Sequence, residues 1–464
     1  MNSQHSIGDS DRRPLLIAVV ALVTVVAFES LAISTVMPIV ERDLGELWLY
    51  GWVFAAFYIG TLIGAVIGGN VVDHVQPLGP MLVGIGLFVG GLFVGGLALN
   101  MEMLVAGRLL QGFGAGVVPA VSYVVVARGF PADLHPRVFA AMSSAWVIPS
   151  LISPLLASFI ARHVSWRWVF LGLIPVTLVV TAVGAPRVAA VGRGSNGIEE
   201  SGAQTRSVIA RILILAMAAV GVITGLGMDR VALGIAVAAV GAVVLIVVFR
   251  RLTPEGTLAF RPRLPAAVML RGVLTYAFFA SDAYVSLAVT SVRGMTTTFA
   301  GFALVCSSGS WTVGSWVQAR LMQNAGSGPV ERRHRTSSLL VRSGGTLLAV
   351  GALGMSASLS SGVPVWVWLI SSTTMGLGMG LAYTTISVVT LAEAEVGREG
   401  EATASLQMSE ILGVAMGTGI AGAFVAIGDR MDASAVMMVL PIFLVSAVAA
   451  LVVVCGSTQL GRPD

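Results

Sequence analysis

Lysine is absent from this 464-residue chain, and all 27 of its basic residues are arginine. Charge of either sign is scarce, at 11% of residues, where soluble domains carry about 25%. That scarcity excludes a soluble globular class. The net charge of +4 is not clustered, so no basic face for nucleic acid is present and no nucleic-acid partner is expected. Only two cysteines occur, Cys306 and Cys455, each inside an apolar run, which excludes a disulfide framework. The five histidines are scattered without metal-ligand spacing. Neither a metal nor a cofactor is expected, and a membrane-embedded enzyme lacks a catalytic cluster to work with.

What remains is apolar. Hydrophobic residues make up 56% of the chain, and the mean hydropathy is +0.91. Fourteen segments are long and apolar enough to span a hydrocarbon core of about 30 Å. They cover roughly 15–37, 48–72, 78–99, 102–127, 136–161, 167–186, 208–227, 231–249, 267–290, 297–321, 339–359, 363–390, 402–427 and 432–455. The runs do not alternate as barrel strands must, so an all-α membrane protein is predicted. Arg12 and Arg13 precede the first run, as in a signal peptide. That run is too long, however, and it carries Glu29 with no small-residue cleavage site.

Arginine placement sets the orientation. With the N-terminus cytoplasmic, inside loops collect fifteen arginines, among them Arg128, Arg187, Arg250, Arg251, Arg332, Arg333 and Arg335. Outside loops hold Arg42, Arg162, Arg167, Arg230, Arg293 and Arg430. Both termini are thus expected inside. A polar linker at 187–206 and a close helix pair between 208 and 249 suggest a hairpin inserted between two six-helix halves. The predicted domains are 1–186, 187–266 and 267–464. An internal repeat supports the division. "AFESLAISTVMP" near 27 resembles "FASDAYVSLAVT" near 279, setting Glu29 against Asp282, and "GFGAGVVPAVSYVVV" at 112 parallels "GLGMGLAYTTISVV" at 376.

Four of the charges inside these runs stand well away from the segment ends. Glu29 lies 14 residues into the first segment, about 21 Å at 1.5 Å per residue. Asp282 and Arg108 fall in the same outer depth band, and Glu410 falls in the inner half. A charge near the bilayer centre costs at least about 2.5–3.5 kcal/mol, so each needs a partner or a watery cavity. A buried carboxylic acid facing an arginine in one state and water in another can act as a proton switch. Glu102, Glu393 and Glu395 sit at segment ends and read as solvated. Pro149 and Pro154 interrupt the fifth helix and favour a gating element. Tyr123, Met142, Trp146, Tyr276, Phe278, Tyr284, Trp311 and Met408 are candidates to line an apolar pocket. The glycine rows read as close helix packing, since no strand precedes them and no lysine follows as a phosphate loop requires.

Together these residues resemble the major facilitator superfamily, and within it the fourteen-helix drug:proton antiporter branch. Glu29 through "STVMP" to Pro38 is similar to that branch's first-helix acid motif, and "RLLQGFGAG", Arg108 to Gly116, to its helix-four arginine motif. The helix-five antiporter motif is represented by Ser153-Pro154, with Ala157 and Ser158 following. "WRWVFLGLIP", 166–175, resembles the family's start of helix six. In the loop between helices two and three the chain keeps Gly69 and Asp73, a cytoplasmic gate residue in the family, but carries His74 and no arginine. The resemblance implies two bundles alternating around a cavity, with protons moving in and a small amphipathic compound moving out. It implies a monomer in the inner (plasma) membrane among membrane lipid. Glu29 and Asp282 would be the proton-responsive acids, with Glu410 a further candidate and Arg108 the charge partner. A proton-coupled metabolite symporter and a lipid exporter are the alternatives that share the fold.

Overall fold

The computed structural model describes residues 13–131, 134, 138, 141, 142, 145–191, 202–326, 330–395 and 398–461. Its regular elements are helices. They run α1 Arg13–Leu44, α2 Tyr50–His74, α3 Leu78–Gly96, α4 Met101–Gly129, α5 Val147–His163, α6 Arg167–Leu171 and α7 Leu173–Ala189. There follow α8 Gly202–Leu226, α9 Val231–Leu252, α10 Leu264–Asp282 and α11 Thr297–Gly326. The last four are α12 Val330–Ser358, α13 Trp366–Glu393, α14 Glu399–Arg430 and α15 Ala435–Gly456. Twelve stretches among the described residues are long and apolar enough to cross a membrane, α6 and α7 counting as one. The two other predicted segments are also helical. One is the 17-residue α5, preceded by residues largely outside those described. The other is the 30-residue α11, whose "SSGSWTVGSW" stretch trades apolar side chains for small polar ones.

In hydrocarbon every backbone group must bond internally, and local chemistry accomplishes this. Asn100 caps α4 by accepting the Met103 amide at 2.9 Å. Hydroxyls within helices turn back onto their own helix, as when Thr24 donates to the Val20 carbonyl at 2.8 Å and Ser30 to that of Val26 at 2.9 Å.

The helices form two compact units, one of residues 1–45 and 56–213, the other of 46–55 and 214–464. Each is organised on a helix with glycine at alternate positions. In α4, a Cβ on Gly112 or Gly116 would enter the backbone of α2 at Phe57 and Thr61, and one on Gly114 would enter α3 at Gly84. In α13, Gly376 and Gly380 meet the α11 backbone at Ser307 and Trp311, and Gly378 meets Gly344 of α12. Both helices are therefore clamped between two neighbours at backbone contact, a packing that only glycine permits. The repeat read from the sequence at 112 and 376 is this shared clamp.

Candidate functional site

The α4 clamp fixes what lies one turn before it. Arg108, 1% exposed, is held inside the first unit, and its Nη1 donates to Glu29 Oε1 on α1. The same nitrogen donates to Gln111 Oε1 at 2.9 Å, and the guanidinium carbon lies 4.1 Å from the centre of the Phe57 ring. Glu29 is itself 2% exposed. Its Oε2 and the Gln111 Nε2 have no hydrogen-bond partner among the described residues. The pair is sealed from solvent, and Gln111 acts on the Glu29 carboxylate alongside Arg108. Removing either member would leave the other as an uncompensated buried charge.

Asp282 ends α10 in the second unit, where the helix breaks before a π-helical turn at Ala288–Val292. Such turns often mark functional positions. The acid is partly exposed and faces Ser307 of α11. An acid at a helix C-terminus opposes the macrodipole, so this location is not explained by helix stability.

Glu410, on α14, stands in a different setting. Both its carboxylate oxygens accept from the Tyr383 hydroxyl of α13, at 2.9 and 3.1 Å. Arg271 of α10 lies beside it, Nε to Oε2 at 3.8 Å. Arg271, 1% exposed, stacks its guanidinium 3.5 Å over the Tyr383 ring and donates through Nη2 to Ser387. The sequence pattern does not single out Arg271, Tyr383 or Gln111. Gln111 was legible as one turn past Arg108. Arg271 was masked by its place near the predicted start of a segment, since the helix begins at Leu264 rather than 267.

The other candidates are spread through both units. Pro149, Ser153 and Pro154 are buried in α5, and the Ser153 hydroxyl has no hydrogen-bond partner among the described residues. Phe278, Trp311 and Tyr383 form a run of edge-on aromatic contacts, each 5.3 Å between ring centres. Met142 and Met408 are buried, and Tyr276 is partly so. Tyr284 is fully buried, donating to the Thr418 carbonyl at 2.9 Å, and packs on Tyr50 and Phe54. Tyr123 and Trp146 are exposed, at 44% and 43%. Asp73 lies in the last turn of α2, and its side chain is outside the described residues. The loop after α2 is instead tied by Arg128 of α4, which donates to the Val72 and Val75 carbonyls at 3.1 and 3.5 Å.

The chain is similar to known membrane transporters. A family model described as Major Facilitator Superfamily matches residues 18–418. A Mycobacterium tuberculosis protein named "Probable multidrug-efflux transporter" is 25% identical over 444 residues, 94% of this chain and 92% of that protein. The multidrug efflux pump SdrM of Staphylococcus aureus is 31% identical over 167 residues, 35% of this chain and 37% of the pump. Among solved structures, a D-xylose-proton symporter matches with a TM-score of 0.66 at 14% identity, covering 98% of this chain and 100% of that one. A peptide transporter of the POT family matches with a TM-score of 0.69 at 16% identity, covering 96% of each chain. At these identities the two structures speak for the fold alone.

Proposed function

The chain belongs to the Major Facilitator Superfamily, a multi-pass membrane transporter, and we propose that it is a proton-coupled exporter of amphipathic or hydrophobic compounds, working by alternating access. The observation that carries this reading is the Glu29–Arg108 pair, an acid and its counter-ion sealed inside a membrane helix bundle. A charge pair so placed is expensive to keep and is not needed for packing. While the pair is closed, Arg108 is the hydrogen-bond partner and counter-ion of Glu29. When a cavity opens to the acidic side, Glu29 takes a proton, the guanidinium loses its partner, and Gln111 and Phe57 retain it until release. Asp282 is the second proton-responsive acid, placed at a helix break where a change of backbone geometry alters its surroundings. The names of the relatives as efflux pumps support the outward direction.

In this reading the domains are 1–186 and 267–464, joined through the inserted pair within 187–266. The protein works as a monomer in the inner membrane with both termini cytoplasmic, in line with the arginine bias of the loops. Protein reconstituted in liposomes, with the acid on the side of the outer face, tests it. Export of a lipophilic cationic dye should follow the gradient in the wild type and be lost in Glu29→Gln. Equal export by both proteins would remove Glu29 from the coupling path.

A further inference from the structure

Arg271 and Glu410 are neighbours that do not complete a bond. The 3.8 Å between Nε and Oε2 exceeds hydrogen-bond reach, and Nε and Nη1 of Arg271 have no hydrogen-bond partner among the described residues. The guanidinium is kept in place by other means, the Tyr383 ring beneath it and Ser387 at its far end. Glu410 is kept by the Tyr383 hydroxyl. Both charges are thus held through Tyr383 rather than by a hydrogen bond to each other.

Their accessibilities differ sharply. The Arg271 side chain is 2% exposed and that of Glu410 is 26% exposed. The guanidinium is closed to solvent, whereas the carboxylate is partly open to it. An incoming cation meets the open side of the carboxylate directly. Beside that carboxylate lie Tyr383, then Trp311 and Phe278 in edge-on contact, and Trp311 is partly exposed. A carboxylate flanked by aromatic rings is the environment that attracts a poorly hydrated organic cation.

We infer that Glu410 is the recognition carboxylate for a lipophilic organic cation, and that Arg271 is a specificity-determining residue that weakens this site by opposing its charge. The arrangement keeps binding reversible. The fixed positive charge lowers affinity for a cation while never leaving Glu410 without a counter-charge. The tie of Tyr383 to both groups explains why Arg271 does not close onto the carboxylate and shut the site. The inference rests on the export reading for the hydrophobic character of the cargo, but its signature is binding, which needs neither a proton gradient nor Glu29.

The test is equilibrium binding of tetraphenylphosphonium and of its anionic isostere tetraphenylborate to the full-length purified protein. Charge removal at Glu410, in Glu410→Gln, should weaken the cation about tenfold and strengthen the anion about tenfold. Arg271→Gln should strengthen the cation about tenfold, and adding Glu410→Gln to it should erase that gain. Arg271→Lys, which keeps the charge, should bind as the wild type does. Thermal melting of each variant confirms folding, and Glu410→Gln alone decides the question if Arg271→Gln does not fold. Weakened cation binding in folded Arg271→Gln would make Arg271 a support for the carboxylate and overturn the inference. So would an unchanged cation-to-anion preference in Glu410→Gln, or no cation binding by the wild type. Loss of gradient-driven export with these binding shifts intact would instead count against the proton-coupled reading alone.

Discussion

In the first unit the acid and the arginine are both sealed, at 2% and 1% exposure, and the arginine donates directly to the carboxylate. In the second unit the arginine is sealed, the acid is partly exposed, and the two stand 3.8 Å apart. In the proposed reading the same two chemical groups serve opposite tasks. A closed pair stores a charge state until something disrupts it, whereas an open acid beside a fixed cation samples what arrives. The difference does not come from the frame that holds them. The glycine clamp of α4 at 112, 114 and 116 recurs in α13 at 376, 378 and 380, each helix pinned to two neighbours. Four residues before the clamp, α4 carries Arg108 and α13 carries Ser372, buried and with no hydrogen-bond partner for its hydroxyl among the described residues. The repeat preserved the packing and redistributed the charge.

That contrast can be probed through stability. Arg108→Ala strands Glu29 in the first unit and should cost about 3–5 kcal/mol, read as a large fall in melting temperature. Replacing both members, as Glu29→Met with Arg108→Met, should recover most of that loss while leaving gradient-driven export absent. Recovery of export would show that the pair serves structure and not coupling. The clamps should respond alike. Gly112→Ala and Gly376→Ala each drive a methyl into neighbouring backbone and should cost about 1–3 kcal/mol; a marked inequality in melting would show that the two units are not packed on the same principle. Glu410→Gln should be milder than Arg108→Ala, no more than about 2 kcal/mol, because the lost bonds are those of a partly exposed acid. Tyr383→Phe removes only the hydroxyl bonded to Glu410 and should cost about 1 kcal/mol. Denaturation in detergent distinguishes these sizes.

Much of this was legible before the fold was known. Charges in apolar runs must be accounted for, so Glu29, Arg108, Asp282 and Glu410 stood out by cost alone. The glycine patterns and the class of fold followed from composition and period. Partnership was not legible, because it depends on which helix faces which. Nothing in "LPAAVMLRGVLTYAFFASD" reveals that Arg271 will turn toward Glu410, 139 positions later. Nothing in the spacing marks Tyr383, whose hydroxyl donates to both carboxylate oxygens of Glu410. Tyr284, a pocket candidate by residue type, is buried and donates to the Thr418 carbonyl. An aromatic's task is set by where its polar end points, which spacing does not encode.

The division of labour between the two acids is open to one direct reading. Proteoliposomes loaded with a pH-sensitive dye would report protons entering as a lipophilic cation leaves, in wild type, Glu29→Gln and Glu410→Gln. Proton entry should vanish in Glu29→Gln at every substrate concentration. In Glu410→Gln it should persist, shifted to about tenfold higher substrate concentration. Proton entry that survives Glu29→Gln and disappears in Glu410→Gln would reverse the assignment and contradict the account.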